Sequence, residues 1–152
     1  MMIRKYKKED ETKVKKMILS VLKTIYKKTL PKWENFEDYV VFYIAEDKKE
    51  IIGTIALKKI DKNFVKLKRM YVKEDFQKKG IGKKLLEKVL KLAKNKNYKK
   101  IILTTYPEMK NAVEFYKKQG FNIVKKPSNK FFTHPNLREY NQRQIAMEKE
   151  LK

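Results

Sequence analysis

The spacing of apolar residues changes once in the middle of the chain, and that change constrains the fold more than any other feature. Val40 to Ala45, Ile51 to Leu57 and Phe64 to Val72 are short apolar or alternating runs, joined by Asp47-Lys48-Lys49-Glu50 and Asp61-Lys62-Asn63. Runs this short with polar turns between them predict three strands paired antiparallel. Beyond Gly80-Ile81-Gly82, apolar residues recur instead at Ile81, Leu85, Leu86, Val89, Leu92 and Ala93. That is the spacing of one helix face, ending near Lys94-Asn95-Lys96-Asn97. Gly53, inside the second strand, marks a bulge or a close approach of another chain segment.

The flanks add elements of both kinds. Ile3 to Tyr6 reads as a first strand, and Glu9-Asp10-Glu11 puts negative charge where a helix start favours it. Val14, Met17, Ile18, Val21, Leu22 and Ile25 form the apolar face of that helix, which Pro31 ends. Lys32 to Tyr39 is a loop or a short helix. Ile101 to Thr105 is a strand bounded by Pro107; Ala112, Val113, Phe115 and Tyr116 belong to a helix closed by Gly120. Phe121 to Val124 and Gln144 to Glu148 complete the strands, separated by the polar and aromatic connection from Pro127 to Tyr140. The expectation is one α/β (α+β) domain over residues 1–152, a mixed, mostly antiparallel sheet of about seven strands flanked by helices.

Composition narrows the chemistry. Cysteine is absent, which removes disulfides, thiolate metal ligands and a cysteine nucleophile. His134 is the single histidine, so no metal site is expected. No apolar stretch approaches membrane-spanning length, and Met1 to Tyr6 has neither an apolar core nor a small-residue cleavage site. Cytoplasmic residence without a membrane partner is the resulting expectation. The net charge of +22 raises the alternative of a basic nucleic-acid-binding module. The excess is lysine spread over every predicted element, however, with arginine only at Arg4, Arg69, Arg138 and Arg143. Readers of bases favour arginine, amides and displayed aromatics, so no specific nucleic-acid partner is expected.

A glycine pair between a strand and a helix has a physical use. Glycine permits close backbone approach and positive φ, and unpaired amides at a helix start point toward an anion. Val72 to Lys83 has this arrangement, with Gly80 and Gly82 opening the helix. The dinucleotide fingerprint fails because its third glycine position is Leu85, and the triphosphate loop fails on spacing. From spacing alone, a tight structural turn and an anion-binding loop both remain open.

The run Val72 to Gly82 followed by an amphipathic helix resembles the acetyl-CoA signature of the GCN5-related N-acetyltransferases, Gln/Arg-x-x-Gly-x-Gly/Ala. Gln77, Gly80 and Gly82 hold its positions. Tyr116-Lys117-Lys118-Gln119-Gly120-Phe121 is similar to the family's second recognisable piece, and the order of elements fits from Ile3 to Leu151. The resemblance implies acetyl-CoA as cosubstrate, with no metal. It implies that amides from Lys78 through Lys79, Gly80, Ile81 and Gly82 to Lys83 hold the pyrophosphate. Met70, Tyr71 and Val72 would pair with the pantetheine arm in a gap beside the parallel strand Ile101 to Thr105. An amide near Tyr71 or Val72 would polarise the thioester carbonyl.

The same resemblance implies direct attack by an amine in a ternary complex, with Tyr116 as general acid for the departing thiolate. No proton acceptor stands out. Glu34 and Glu108 are the carboxylates singled out, with Glu37, Asp38, Glu46, His134 and Tyr106 as further lining candidates. Many family members carry an asparagine where this chain has Met109; Asn111 lies two residues out of register and is the candidate replacement. The resemblance implies a primary amine as acceptor, either a small molecule or a peptide. The run Ile145-Ala146-Met147-Glu148-Lys149 and the Glu34, Glu37, Asp38 group resemble polyamine acetyltransferases, whereas the +22 charge repels polycations. A non-catalytic CoA-binding domain is the other alternative, and a monomer or homodimer is expected.

Overall fold

Val14, Met17, Ile18, Val21 and Leu22 are all buried on helix α1 (Glu11–Ile25), as their spacing requires. The structure is a computed structural model that describes residues 1–25, 33–107, 109–124 and 144–151. Strands β1 (Met2–Lys5), β2 (Val41–Asp47), β3 (Glu50–Lys59), β4 (Phe64–Val72), β5 (Lys100–Thr105), β6 (Asn122–Val124) and β7 (Ile145–Glu150) form one sheet in the order β1-β2-β3-β4-β5-β7-β6. The other helices are α2 (Ile81–Asn95) and α3 (Lys110–Lys118). Backbone contacts divide the chain into two compact units, Met1–Lys58 with Leu67–Leu92, and Lys59–Lys66 with Ala93–Lys152. β3, β4 and α2 contribute residues to both.

In the first unit, β1 and β3 each pair antiparallel with β2. The β2–β3 hairpin turns on Lys48 and Lys49, at φ 49° and 66°. Such a turn needs positive φ at both central residues and usually takes asparagine and glycine. Here two lysines carry it. The register shifts between Ala45 and Glu46, opposite Gly53 and Ile51, which is the bulge expected at Gly53. Close approach holds there too, because a Cβ on Gly53 would stand 3.2 Å from Leu85 Cδ1 and 3.3 Å from the Tyr71 carbonyl oxygen. The core joins the buried face of α1 to Phe36, Tyr39, Phe42, Ile44, Ile51 and Ala56, with Tyr6, Trp33 and Tyr71 partly buried against it.

An ion-paired fork fixes the start of α1. Arg4 Nη1 and Nη2 donate to the two carboxylate oxygens of Asp10 at 2.8 and 2.9 Å, and the Lys7 amide donates to Asp10 at 2.8 Å. Arg4 Nε also donates to Glu46 at 3.0 Å, tying β1, β2 and the helix start together. The Arg4 hydrogen bond, assisted by the Lys7 amide, outweighs burial and holds the Asp10 carboxyl below its ordinary value. A depressed carboxyl stabilises the fold above its unfolded pKa and loses that contribution as pH falls through its folded value. Asp10→Asn should therefore cost about 2 kcal/mol at neutral pH. The gap to the wild type should narrow as pH drops below about 4, which denaturant melts across pH would show.

In the second unit, Phe64–Lys66 of β4 runs parallel to Lys100–Ile102 of β5. β5 pairs antiparallel with β7 along Lys100–Thr105, and β7 with β6. Ile60, Ile102 and Ala146 are buried together, with Phe64 and Val124 against them. Gly120, at φ 90°, closes α3 as the sequence predicts, its amide donating to Lys117 O at 3.0 Å.

Candidate active site

The segment after β4 is built to leave backbone amides at the start of α2. Lys73 N–H returns to Ile52 O at 2.8 Å, and residues Glu74–Phe76 make one tight turn. Gln77 Nε2 donates to Val72 O at 2.9 Å, closing the loop onto the end of β4. Lys78 and Gly80 then adopt φ 63° and 82°. Positive φ is costly for lysine, and alternating backbone signs of this kind cup successive amides toward an anion. The first helical bond runs from Lys84 N–H to Gly80 O at 3.1 Å, so the amides of Ile81, Gly82 and Lys83 precede the ladder.

The charge at this end of α2 is the reverse of what the helix alone prefers. Its first turn contains no acidic residue, and Lys78, Lys79, Lys83 and Lys84 are all exposed around it. Cations at a helix N-terminus are unfavourable by about 0.3–1 kcal/mol each. A bound polyanion would reverse that sign.

At the other end of this loop, β4 departs from regular geometry before Met70, Tyr71 and Val72. Arg69 has φ 54°, and its carbonyl accepts from Thr54 Oγ1 at 2.6 Å. Consecutive strand side chains normally point to opposite faces. Here Lys68 pairs with Glu34 while the Arg69 guanidinium stands 5.2 Å from the Trp33 ring, so neighbours on β4 both reach the segment Trp33-Glu34. Arg69 Nε donates to the Tyr39 hydroxyl at 3.3 Å, and Tyr71 bonds the guanidinium as well. Burial opposes the charge on Arg69, but the phenol oxygens of Tyr39 and Tyr71 favour it by more and raise its pKa. Sequence reasoning did not single out Arg69, Trp33, Tyr39 or Lys68. The only hint was that Arg69 is one of four arginines in a lysine-rich chain.

Glu34 sits between Lys68 and Lys58, the latter at 3.2 Å. Burial alone would raise its carboxyl, but the hydrogen bonds and charges of Lys68 and Lys58 outweigh this and lower it. A carboxylate held this way is a weaker base than a free one. Glu46 is taken up by Arg4, while Glu37 and Asp38 are exposed.

In the second unit, Tyr116 lies on α3 at 8% exposure, edge-on to Phe115 and Phe121 with ring centres 5.3 and 5.6 Å away. Asn111 is exposed in the first turn of α3, and Met109 precedes that helix, its sulfur 3.5 Å from Thr105 Oγ1. Glu108, His134 and the Pro127 to Tyr140 connection lie outside the described residues. Among the described residues, no group of three or more His, Asp or Glu side chains is placed to hold a metal, and no helix is long and apolar enough to cross a membrane.

The acetyltransferase (GNAT) family profile matches residues 9–121, and the chain belongs to that family. Among the described residues, the sheet has seven strands, mostly antiparallel, with three α-helices, and this is the fold of its structural neighbours. A GNAT-family acetyltransferase from Staphylococcus aureus superposes with TM-score 0.86 at 28% identity, covering 99% of each chain. The PaiA N-acetyltransferase of Thermoplasma acidophilum, solved in complex with coenzyme A, has the same fold at TM-score 0.76 and 22% identity, covering 98% of each chain. Human N-acetyltransferase 8 is 28% identical over 96 residues, or 60% of this chain. The match spans about two fifths of the human protein's length, 41%.

Proposed function

We propose that this chain, acting as a single N-acetyltransferase domain, transfers the acetyl group of acetyl-CoA to a primary amine. The observation that carries the reading is the α2 start, where amides of Ile81, Gly82 and Lys83 precede the hydrogen-bond ladder and lysines replace the expected acids. This is a pyrophosphate cradle in both geometry and charge. Lys78, Lys79 and Lys83 add charge, and Gln77 holds the loop against Val72. Met70, Tyr71 and Val72 offer the backbone edge that pairs with pantetheine amides, and an amide of Tyr71 or Val72 polarises the thioester carbonyl.

The amine nitrogen attacks the thioester carbon, the new C–N bond forms, and the C–S bond breaks. The departing thiolate takes a proton from Tyr116, and the amine loses one to water or to a carboxylate. Of the two carboxylates proposed for that role, Glu34 is weakened as a base by its lysines, which leaves Glu108 or water. Asn111 is the candidate for an added cofactor contact from α3. The family relationship and the CoA complex of the PaiA neighbour support acetyl-CoA as cosubstrate.

Initial rates of CoA thiol release, with acetyl-CoA and amine both varied, test this. Direct transfer predicts intersecting double-reciprocal lines. Parallel lines would indicate an acyl-enzyme, and no release with any amine would remove the enzymatic reading.

A further inference from the structure

Three consecutive residues of β3 set the course of β4 around Met70–Val72. Ile52 O accepts from Lys73 N–H at 2.8 Å, just beyond that stretch. Gly53 leaves room for the Tyr71 carbonyl oxygen, which stands 3.3 Å from where a Cβ would be. Thr54 Oγ1 donates to the Arg69 carbonyl at 2.6 Å, just before the stretch. Thr54 is 0% exposed and is the one polar side chain in the buried run from Ile51 to Leu57. Valine has nearly the same shape and would fill that place without burying a hydroxyl, which an apolar interior tolerates only when bonded. The bond goes to the residue at which β4 leaves regular geometry, Arg69 at φ 54°. A residue other than glycine is strained there, and such strain persists only where the surroundings enforce it. Tyr39 and Trp33 hold the Arg69 side chain, whereas Thr54 holds its backbone.

We propose that Thr54 is a positioning residue for acetyl transfer, acting through the Arg69 carbonyl to aim the backbone that meets the thioester. The inference rests on the acetyltransferase reading and adds a residue to its machinery. A peptide unit is planar, so holding the Arg69 oxygen fixes the plane of the Arg69–Met70 link and the course of the amides that follow. A donor to a developing oxyanion acts through its placement, and an error of about 1 Å costs on the order of 10²-fold in rate. Acetyl-CoA affinity has a separate source, the proposed pyrophosphate cradle at the start of α2. Loss of the Thr54 hydroxyl therefore falls on turnover and spares cofactor binding.

The test compares Thr54→Val and Thr54→Ser with the wild type, using whichever of spermidine, aminoglycosides, amino acids and short peptides the wild type acetylates fastest. No CoA release by the wild type with any of them removes the acetyltransferase reading, and this inference with it. With release present, Thr54→Val should lower the single-turnover rate by about tenfold or more, while the acetyl-CoA Kd from isothermal titration stays within about threefold. Thr54→Ser restores the hydroxyl and should return the rate to within about threefold of the wild type. Ile55→Val loosens the packing of the same strand with the hydroxyl kept, and should lower the melting temperature without changing the rate. Thr54→Ala takes the place of the valine variant if that protein does not fold, and failure of both to fold would overturn the proposal. A Thr54→Val rate within about threefold of the wild type would overturn it too, as would a loss confined to acetyl-CoA affinity. So would a Thr54→Ser or Ile55→Val protein as slow as Thr54→Val.

Discussion

Gly82→Leu should weaken acetyl-CoA binding by about tenfold to a hundredfold while leaving the unliganded fold as stable as the wild type or slightly more so. The two effects separate because they have different causes. Gly82 stands in the first turn of α2 with helical backbone, where leucine is the better helix former by up to about 0.8 kcal/mol. In the proposed cradle, the same side chain would fill space that the pyrophosphate needs for close approach, at about 1–3 kcal/mol for an overpacked contact. Gly80→Leu should also lose affinity, but with a stability cost of about 1–2 kcal/mol, because Gly80 holds φ 82°. An added Cβ there meets nothing within 4 Å, so backbone strain accounts for the cost and steric clash does not. Isothermal titration with acetyl-CoA, beside denaturant melts without it, reads both quantities. A Gly82→Leu protein with unchanged affinity would reduce the glycine pair to a turn.

Tyr116→Phe should lower turnover by about tenfold or more while acetyl-CoA affinity and the fold persist. The ring's edge contacts with Phe115 and Phe121 survive the change, so packing of α3 is retained and the lost hydroxyl is the variable. The expected effect lies at the low end of general acid catalysis, about 10²-fold or less, because a thiolate leaves fairly well without help. Single-turnover rates make chemistry the observed step. Full activity in that assay would assign Tyr116 to packing and protonation of the thiolate to water or the bound amine.

The two predictions draw on sequence features of unequal legibility. Phe64 to Val72 is read with both ends right, because its turn residues Asp61-Lys62-Asn63 and the break before Gly80 bracket it. The α2 face is legible for the same reason, with Ile81, Leu85, Leu86, Val89 and Ala93 all buried. The left-handed residue inside β4 is not. When arginine rather than glycine occupies such a position, neither composition nor alternation marks it. The Lys48-Lys49 turn escapes for the same reason, although its place between two strands is plain. Glu34 shows a different limit. Its sequence neighbours Glu37 and Asp38 suggest an acidic patch, whereas its partners Lys58 and Lys68 come from β3 and β4, which sequence proximity does not mark. Strand order is legible from β2 to β4 because each hairpin places the next strand. It fails at β7, which inserts between β5 and β6 after a long connection.

The most direct test of the account is thermal melting of the unmodified chain with acetyl-CoA, at moderate salt, against ATP at equal concentration. ATP is the necessary control because a chain of net charge +22 attracts any polyanion. Ligand at about 100 times its Kd stabilises by about 2.7 kcal/mol. For a chain of this size that is a rise of about 5–10 °C. The account predicts a rise of that order with acetyl-CoA, persisting as salt increases, and a smaller, salt-sensitive one with ATP. No rise, or equal rises that vanish together in salt, would contradict it.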